Sequence, residues 1–483
     1  MRKNRPDYDL CIIGGGINGA GIARDAAGRG LSVILVEKGD LAGATSSAST
    51  KLIHGGLRYL EQYEFSLVRH ALQERETLMG LAPHLIKPMT FILPHEPHLR
   101  PVWMIQCGLF LYDHLAKRKK LPASKTVSLK NSGLEEIYKK GFSYADCRVD
   151  DSRLVIVNAM DAAEKGAHIL TGTECTGLTP YESGWVIDFA NQSSLRARMV
   201  VNASGPWVRS VLEASNLARQ VPGIRLVKGS HIVVPRFLDG ENAYILQQPD
   251  TRIVFAIPYE RDFTLIGTTD LEYKGDPSCP VIETAEIDYL CAAVNRSFQH
   301  KISPEEIVWH YSGVRPLLDD GDNDVSSVTR DYKLVLDESC HLKMLSVFGG
   351  KITTYRRLAE EAVNLLTDRP CWTAKTPLPG GDIPDFDRFL ETQKNHYSNL
   401  PETLVTRYTN SYGTRMDVFL SSGKMGAHFG DHVYEAEIRY LIDYEWAQTI
   451  EDILWRRSKL GLHISDGTVK NIGIFLKRSL PSL

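Results

Sequence analysis

No pair of the eight cysteines, at positions 11, 107, 147, 175, 279, 291, 340 and 371, falls into a C-x-x-C spacing. A structural zinc site, an iron–sulfur cluster and a disulfide framework therefore lack their usual signature, and scattered thiols fit a reducing compartment. Net charge is also missing: 56 basic residues against 59 acidic leave −3, so no basic field exists to gather nucleic acid. An anionic substrate has to be met by local arginines. No apolar run approaches the roughly twenty residues that span a bilayer; the most apolar, Val102 to Tyr112, is interrupted by Gln106. The first residues do not read as a secretory leader, because Asp7 and Asp9 break the basic start. No internal repeat is visible, and 43% hydrophobic with 24% charged residues excludes disorder as the default. A chain of 483 residues has length for two or three domains.

Glycine is placed where it does chemistry. Leu10 to Ile13 is a short apolar run, followed by Gly14-x-Gly16-x-x-Gly19, a helical stretch over Ala20–Ala27, and a second apolar run, Val33–Val36, ending in Glu37. Strand, glycine turn, helix and strand in that order form a dinucleotide fingerprint: the glycines permit a tight turn and close approach to a pyrophosphate. The helix N-terminus favours the anion. Glu37 stands 18 residues after Gly19, where a carboxylate binds ribose hydroxyls and repels a 2′-phosphate, so the ligand reads as FAD or NAD.

Beyond Glu37 the chain enters small and hydroxyl residues, Ala42 to Thr50, and then Lys51-Leu-Ile-His54-Gly55-Gly56-Leu-Arg58-Tyr59. From Asp9 to Glu61 this closely resembles the FAD-dependent, quinone-linked glycerol-3-phosphate dehydrogenases. The likeness continues through residues 95–103, 144–154, Gly229-Ser-His-Ile, Gly267-Thr-Thr-Asp270, Tyr311-Ser-Gly-Val-Arg-Pro316 and Ser346 to Tyr355, and so covers most of residues 9–460.

The resemblance implies an α/β fold in which a discontinuous Rossmann-like FAD-binding domain (1–75, 151–215 and 331–376) joins an antiparallel-sheet substrate or lid domain (76–150 and 216–330). A helical C-terminal domain over 385–483 follows the Pro/Gly-rich linker at 377–384. The sheet is also expected from alternating stretches such as Ser230–Val234 and Arg252–Ile257. Helical patterning marks Glu435–Asp443 and Ile450–Leu460, and Asp151 with Ser152 reads as a cap for a helix over Leu154–Ala163.

Expected FAD contacts are Gly14, Gly16, Asn18, Gly19, Glu37, Thr45, Ser46, Ser49, Lys51, Leu52, His54, Gly55, Gly56, Ala203, Gly205, Gly349, Gly350, Lys351 and Thr353, with the flavin bound noncovalently. Arg58 and Arg315 are the expected clamps for a substrate phosphate, since a planar guanidinium suits its oxygens, with Tyr59, Thr268 and Thr269 completing the pocket. His231 and His54 compete for the role of proton acceptor, and Lys351 for anion binding or flavin charge.

The resemblance further implies oxidation of sn-glycerol 3-phosphate to dihydroxyacetone phosphate, with electrons passed to ubiquinone or another membrane quinone. The alternatives are an oxidase that reduces O2 to peroxide and a non-catalytic flavin-binding protein. It also implies peripheral association with the inner face of the cytoplasmic membrane; a homodimer stays open, and no nucleic-acid or metal partner is expected. Residues 103–112 followed by Lys117-Arg-Lys-Lys120 suit an interfacial anchor, against the competing and slightly favoured reading of a buried helix with a solvated charge cap.

Overall fold

A computed structural model describes residues 6–96, 101–215, 223–318, 332–338 and 341–480. Residues 97–100 of the motif at 95–103 lie outside them. The apolar runs flanking the glycine turn form parallel strands Tyr8–Ile13 and Val33–Val36, joined by helix Ile17–Gly28. Leu10–Ile13 and Val33–Val36 are buried on both faces, which explains their unbroken apolar pattern.

These strands sit centrally in an eight-stranded sheet. Its main order is Tyr332–Asp337, Met344–Gly349, Leu195–Asn202, Tyr8–Ile13, Val33–Val36, His168–Leu170, and the hairpin Cys175–Tyr181/Gly184–Phe189 branches from Leu195–Asn202. Helices Ile17–Gly28, Asp151–Glu164 and Tyr355–Asn364 pack together against it. Residues far apart in the chain are thus brought to the carboxyl end of the first strand: Ala203 follows Asn202, and the turn at Gly349 follows Met344–Gly349.

The second sheet has ten strands, drawn from Leu52–Ile53, Ile86–Pro94, Lys125–Ser128, Lys140–Val149 and the six strands between Ile224 and Leu318. It is antiparallel as expected except at one junction, where Ala243–Gln247 runs parallel to Ile86–Pro94 and closes the two sequence blocks into one sheet. Strand Leu52–Ile53 already belongs to it.

After residue 385 the chain is helical, with Phe386–His396, Glu402–Tyr412, Met416–Leu420, Glu435–Glu445 and Asp466–Ser479, plus one small hairpin, His428–Gly430 with Val433–Tyr434. The helix expected over Ile450–Leu460 is instead a π-helical turn, Asp452–Arg457, ended by an extended Ser458.

Two expectations need correction. The cap of helix Asp151–Glu164 is Asp150, whose carboxylate accepts the Arg153 N–H, because Asp151 is already taken by a buried ion pair with Lys51. The favoured buried-helix reading of residues 103–112 also fails. Helix Val102–His114 buries Leu109, Tyr112 and Asp113, whereas Trp103 is 63% and Phe110 60% exposed, with Met104 and Leu111 beside them. No helix among the described residues is long and apolar enough to cross a membrane.

Candidate active site

A cavity of about 580 Å³ runs from the glycine turn to the second sheet. That is within the range of cofactor and small-ligand sites. At one end it is lined by Gly14, Gly16, Asn18, Glu37, Thr45, Ser46, Ser49, Ala203 and Gly205, and at the other by His54, Tyr59, His231, Thr268, Arg315, Gly349, Gly350, Lys351 and Thr353.

The nucleotide end is built by close backbone approach. Gly14 has φ +112°, and a Cβ there would lie 2.6 Å from the Ala203 carbonyl oxygen; at Gly19 it would lie 1.9 Å from that of Gly14. Neither position has room for a side chain, so the cradle requires glycine. Glu37 is fixed from two sides, accepting the Gly15 N–H at 2.6 Å and the Gly39 N–H at 2.9 Å. Burial pushes its carboxyl up, and these two N–H groups pull it back. The Ser46 hydroxyl accepts the Ile17 N–H at 3.0 Å, and the Asn18 amide donates to the Gly349 carbonyl at 3.2 Å, tying the helix start to the late turn. A steric cradle, a helix N-terminus and a fixed carboxylate together fit the diphosphate and ribose of FAD.

The other end is cationic and aromatic. Arg315 lies on strand Trp309–Leu318 in register with Val227, and its guanidinium is steered by Asp270 and by the Thr269 carbonyl at 3.2 Å. Lys351 opens the turn Ile352–Thr354 with its ammonium 3.8 Å from the centre of the Tyr59 ring. The Gly56 backbone, with φ +76°, leaves room for that ring, since a Cβ would meet it at 2.2 Å.

His231 is 2% exposed, stacks on Tyr311 at 4.8 Å and shares a 3.0 Å hydrogen bond between Nε2 and Thr50 Oγ1. Its Nδ1 has no hydrogen-bond partner among the described residues. Burial, then the Lys51 and Arg315 cations, hold the imidazole well below its ordinary range. It is neutral at physiological pH. The arrangement can thus hold an anionic group and deprotonate a hydroxyl beside a flat, electron-accepting ring.

Several expected residues stand elsewhere. Arg58 lies in the turn Leu57–Leu60, next to Tyr59 but not among the lining residues. Thr269 is 1% exposed and donates its hydroxyl to Glu286 at 2.6 Å, because alternation along the chain turns Thr268 to the cavity instead. Lys51 is buried against Asp151, with Nζ–Oδ1 at 2.8 Å, and supports the Thr45–Thr50 segment from behind. Gly19, inside helix Ile17–Gly28, and Gly55 and Gly56 shape the backbone without lining the cavity, while Leu52 does line it. Sequence reasoning passed over Thr50, Lys38 with its ammonium 3.7 Å over the Trp207 ring, and Arg456. Only the paired Arg456-Arg457 offered any signal, and it was indistinguishable from a solvated helix face.

Comparison with known proteins gives the same outline. Residues 9–356 match the family described as FAD dependent oxidoreductase, and residues 371–472 match the C-terminal domain of alpha-glycerophosphate oxidase. The chain is 50% identical to the glycerol-3-phosphate dehydrogenase of Pseudomonas aeruginosa, covering 98% of this chain and 96% of that one. It is also 50% identical to the D-erythritol 1-phosphate dehydrogenase of Brucella abortus, over 95% of each. Among solved structures, the glycerol-3-phosphate dehydrogenase of Bacillus halodurans complexed with FAD is similar, with a TM-score of 0.75, 27% identity and coverage of 99% of this chain and 95% of that one.

Proposed function

The chain belongs to the FAD-dependent oxidoreductase family, and from that premise we propose that it is a glycerol-3-phosphate dehydrogenase, oxidising sn-glycerol 3-phosphate at C2 to dihydroxyacetone phosphate. The observation that carries the reading is one continuous cavity joining a dinucleotide cradle to a cationic pocket with a neutral buried histidine. FAD, when bound, supplies the two-electron acceptor for the C2 hydride. Gly14, Gly16, Asn18, Glu37, Ser46 and Ala203 would hold it at the nucleotide end, and Gly349, Gly350 and Thr353 at the other.

Arg315 and Lys351 bind the phosphate dianion, and their charges fix which carbon faces the acceptor. His231 is the acceptor for the C2 hydroxyl proton, its ring oriented by the Thr50 hydroxyl at Nε2. Burial of His231 excludes water from that transfer.

A broader substrate range is favoured by the Brucella relative at equal identity, since D-erythritol 1-phosphate presents the same hydroxyl beside a phosphorylated end. Electrons pass to a membrane quinone, and docking is through the exposed face of Trp103, Met104, Phe110 and Leu111, flanked by exposed Lys117, Lys119 and Lys120. Apolar bulk next to lysines suits an anionic lipid surface.

The test is anaerobic titration of the FAD-loaded protein with glycerol 3-phosphate, D-erythritol 1-phosphate and glycerol, followed by a soluble quinone or air. Bleaching by phosphate esters alone and fast reoxidation by quinone is the expected result. Fast reoxidation by air with peroxide release identifies an oxidase, and no bleaching by either ester overturns the substrate assignment. Cosedimentation with anionic vesicles, lost in a Trp103→Ser/Phe110→Ser variant, checks the docking face.

A further inference from the structure

The π-helical turn Asp452–Arg457 sends three consecutive side chains to three places. Trp455 stacks on Trp309 of the second sheet, with ring centres 4.3 Å apart and planes 16° from parallel. Arg457, fully buried, clasps Asp40 with Nη2–Oδ1 at 2.7 Å and donates from Nη2 to the Glu445 carbonyl at 2.6 Å. Arg456 points into the cavity that the first two residues brace. An extra residue in a helical turn re-aims side chains in this way, and such turns concentrate at functional sites.

The donors of Arg456 are divided. Nε donates to Asp40 and Nη2 to Asp452, whereas Nη1 donates to no described residue, and the side chain is 20% exposed at the cavity wall. Asp40 follows Glu37 by three residues, and Glu37, Asp40 and Arg456 line the same cavity, so the open donor shares its wall with the carboxylate assigned to the ribose. Charge makes the placement consequential. Arg456 and Arg457 together offset Asp40 and Asp452; without Arg456, Asp40 keeps Arg457 but this part of the cavity wall gains one net negative charge, facing a ligand with two phosphate charges.

We propose that Arg456, supplied by the C-terminal helical unit, is a cofactor-binding residue for the adenosine diphosphate portion of FAD. Cofactor binding and docking of the C-terminal unit are therefore coupled, each strengthening the other. The inference rests on the FAD reading of the cavity, and it gives the C-terminal unit a function in retaining the cofactor. A latch between domains would also pair Arg456 with Asp40, but it would leave affinity for the nucleotide half unchanged once docking is intact.

The experiment uses full-length apoprotein as wild type, Arg456→Gln and Arg456→Lys. Dissociation constants for FAD and for ADP are measured by calorimetry at low and moderate salt, with apoprotein melting recorded alongside. Loss of one charged hydrogen bond is expected to weaken FAD and ADP alike in R456Q, by roughly tenfold or more. R456K recovers part of the loss, and the difference shrinks with salt. R456Q affinities for FAD and ADP within twofold of wild type overturn the proposal, as does a lowered apoprotein melting point with ADP affinity unchanged. Failure of wild type to bind FAD would instead overturn the cofactor reading of the whole cavity. Should R456Q not fold, hydrogen exchange on the wild type decides: ADP must protect residues 449–458, and absence of that protection sinks the proposal.

Discussion

Replacing Asp151 by Ala should be among the most damaging single changes near the site, although Asp151 does not line the cavity. Its buried carboxylate accepts Lys51 Nζ at 2.8 and 3.0 Å, the Ser49 hydroxyl at 2.7 Å and the Ser152 N–H at 2.9 Å. Removing it leaves Lys51 charged and buried with one remaining acceptor, the Ser47 carbonyl at 2.9 Å. Stranding one partner of a buried pair costs about 3–5 kcal/mol, a large share of the roughly 5–15 kcal/mol that holds a domain folded.

The double variant Lys51→Met/Asp151→Leu strands no charge. It should stand within about 2 kcal/mol of wild type, the residue being the unsatisfied Ser49 and Ser152 groups. The pH response has a definite sign. Burial first holds the Lys51 ammonium below its ordinary range, and losing Asp151 lowers it further. Between that folded value and the unfolded one near 10.4, the unfolded chain binds more protons, so the stability of D151A rises with pH. Urea unfolding of the three apoproteins between pH 7 and 9.5, with FAD affinity measured in parallel, is the assay. A double variant as unstable as D151A would refute the charge argument and move the cost to the lost serine hydrogen bonds.

Gly19→Ala should abolish FAD retention, because its methyl would sit 1.9 Å from a backbone oxygen that no rotamer can move; an unchanged flavin content on purification would refute this. Lys87, pushed down to about 7 chiefly by burial, makes wild-type stability rise with pH from about 7 towards 10. Lys87→Met should remove that slope, read from urea midpoints across the range. Asp270→Asn should raise KM for the phosphate ester about tenfold with a smaller change in kcat, since one charged hydrogen bond orienting Arg315 is lost. Equal loss in both parameters would place Asp270 outside substrate positioning.

The amino-acid order alone determined the first strand, glycine turn, helix and second strand, because each signal there is local: an apolar run, three glycines of which two would strike backbone with an added carbon, and an acid at the strand end. It also marked His231, Arg315 and Lys351 by their glycine-rich settings, and the structure brings them to one cavity wall from three distant segments. What it left undecided was orientation and long-range pairing. Thr268 and Thr269 differ by one step along the chain, and only the partner Glu286 shows which of them turns inward. Lys51 read as a cofactor ligand until Asp151, a hundred residues away, proved to hold it. The apolar helix Val102–His114 has a sequence suited to burial, and only packing reveals that Trp103 and Phe110 stand more than half exposed. Arg456 reaches the nucleotide end because the C-terminal unit folds back onto Asp40, a contact spanning more than four hundred residues that no local propensity encodes. Periodicity and turn chemistry act over a few residues, whereas burial, charge pairing and cavity lining are set by whichever elements the tertiary fold places side by side.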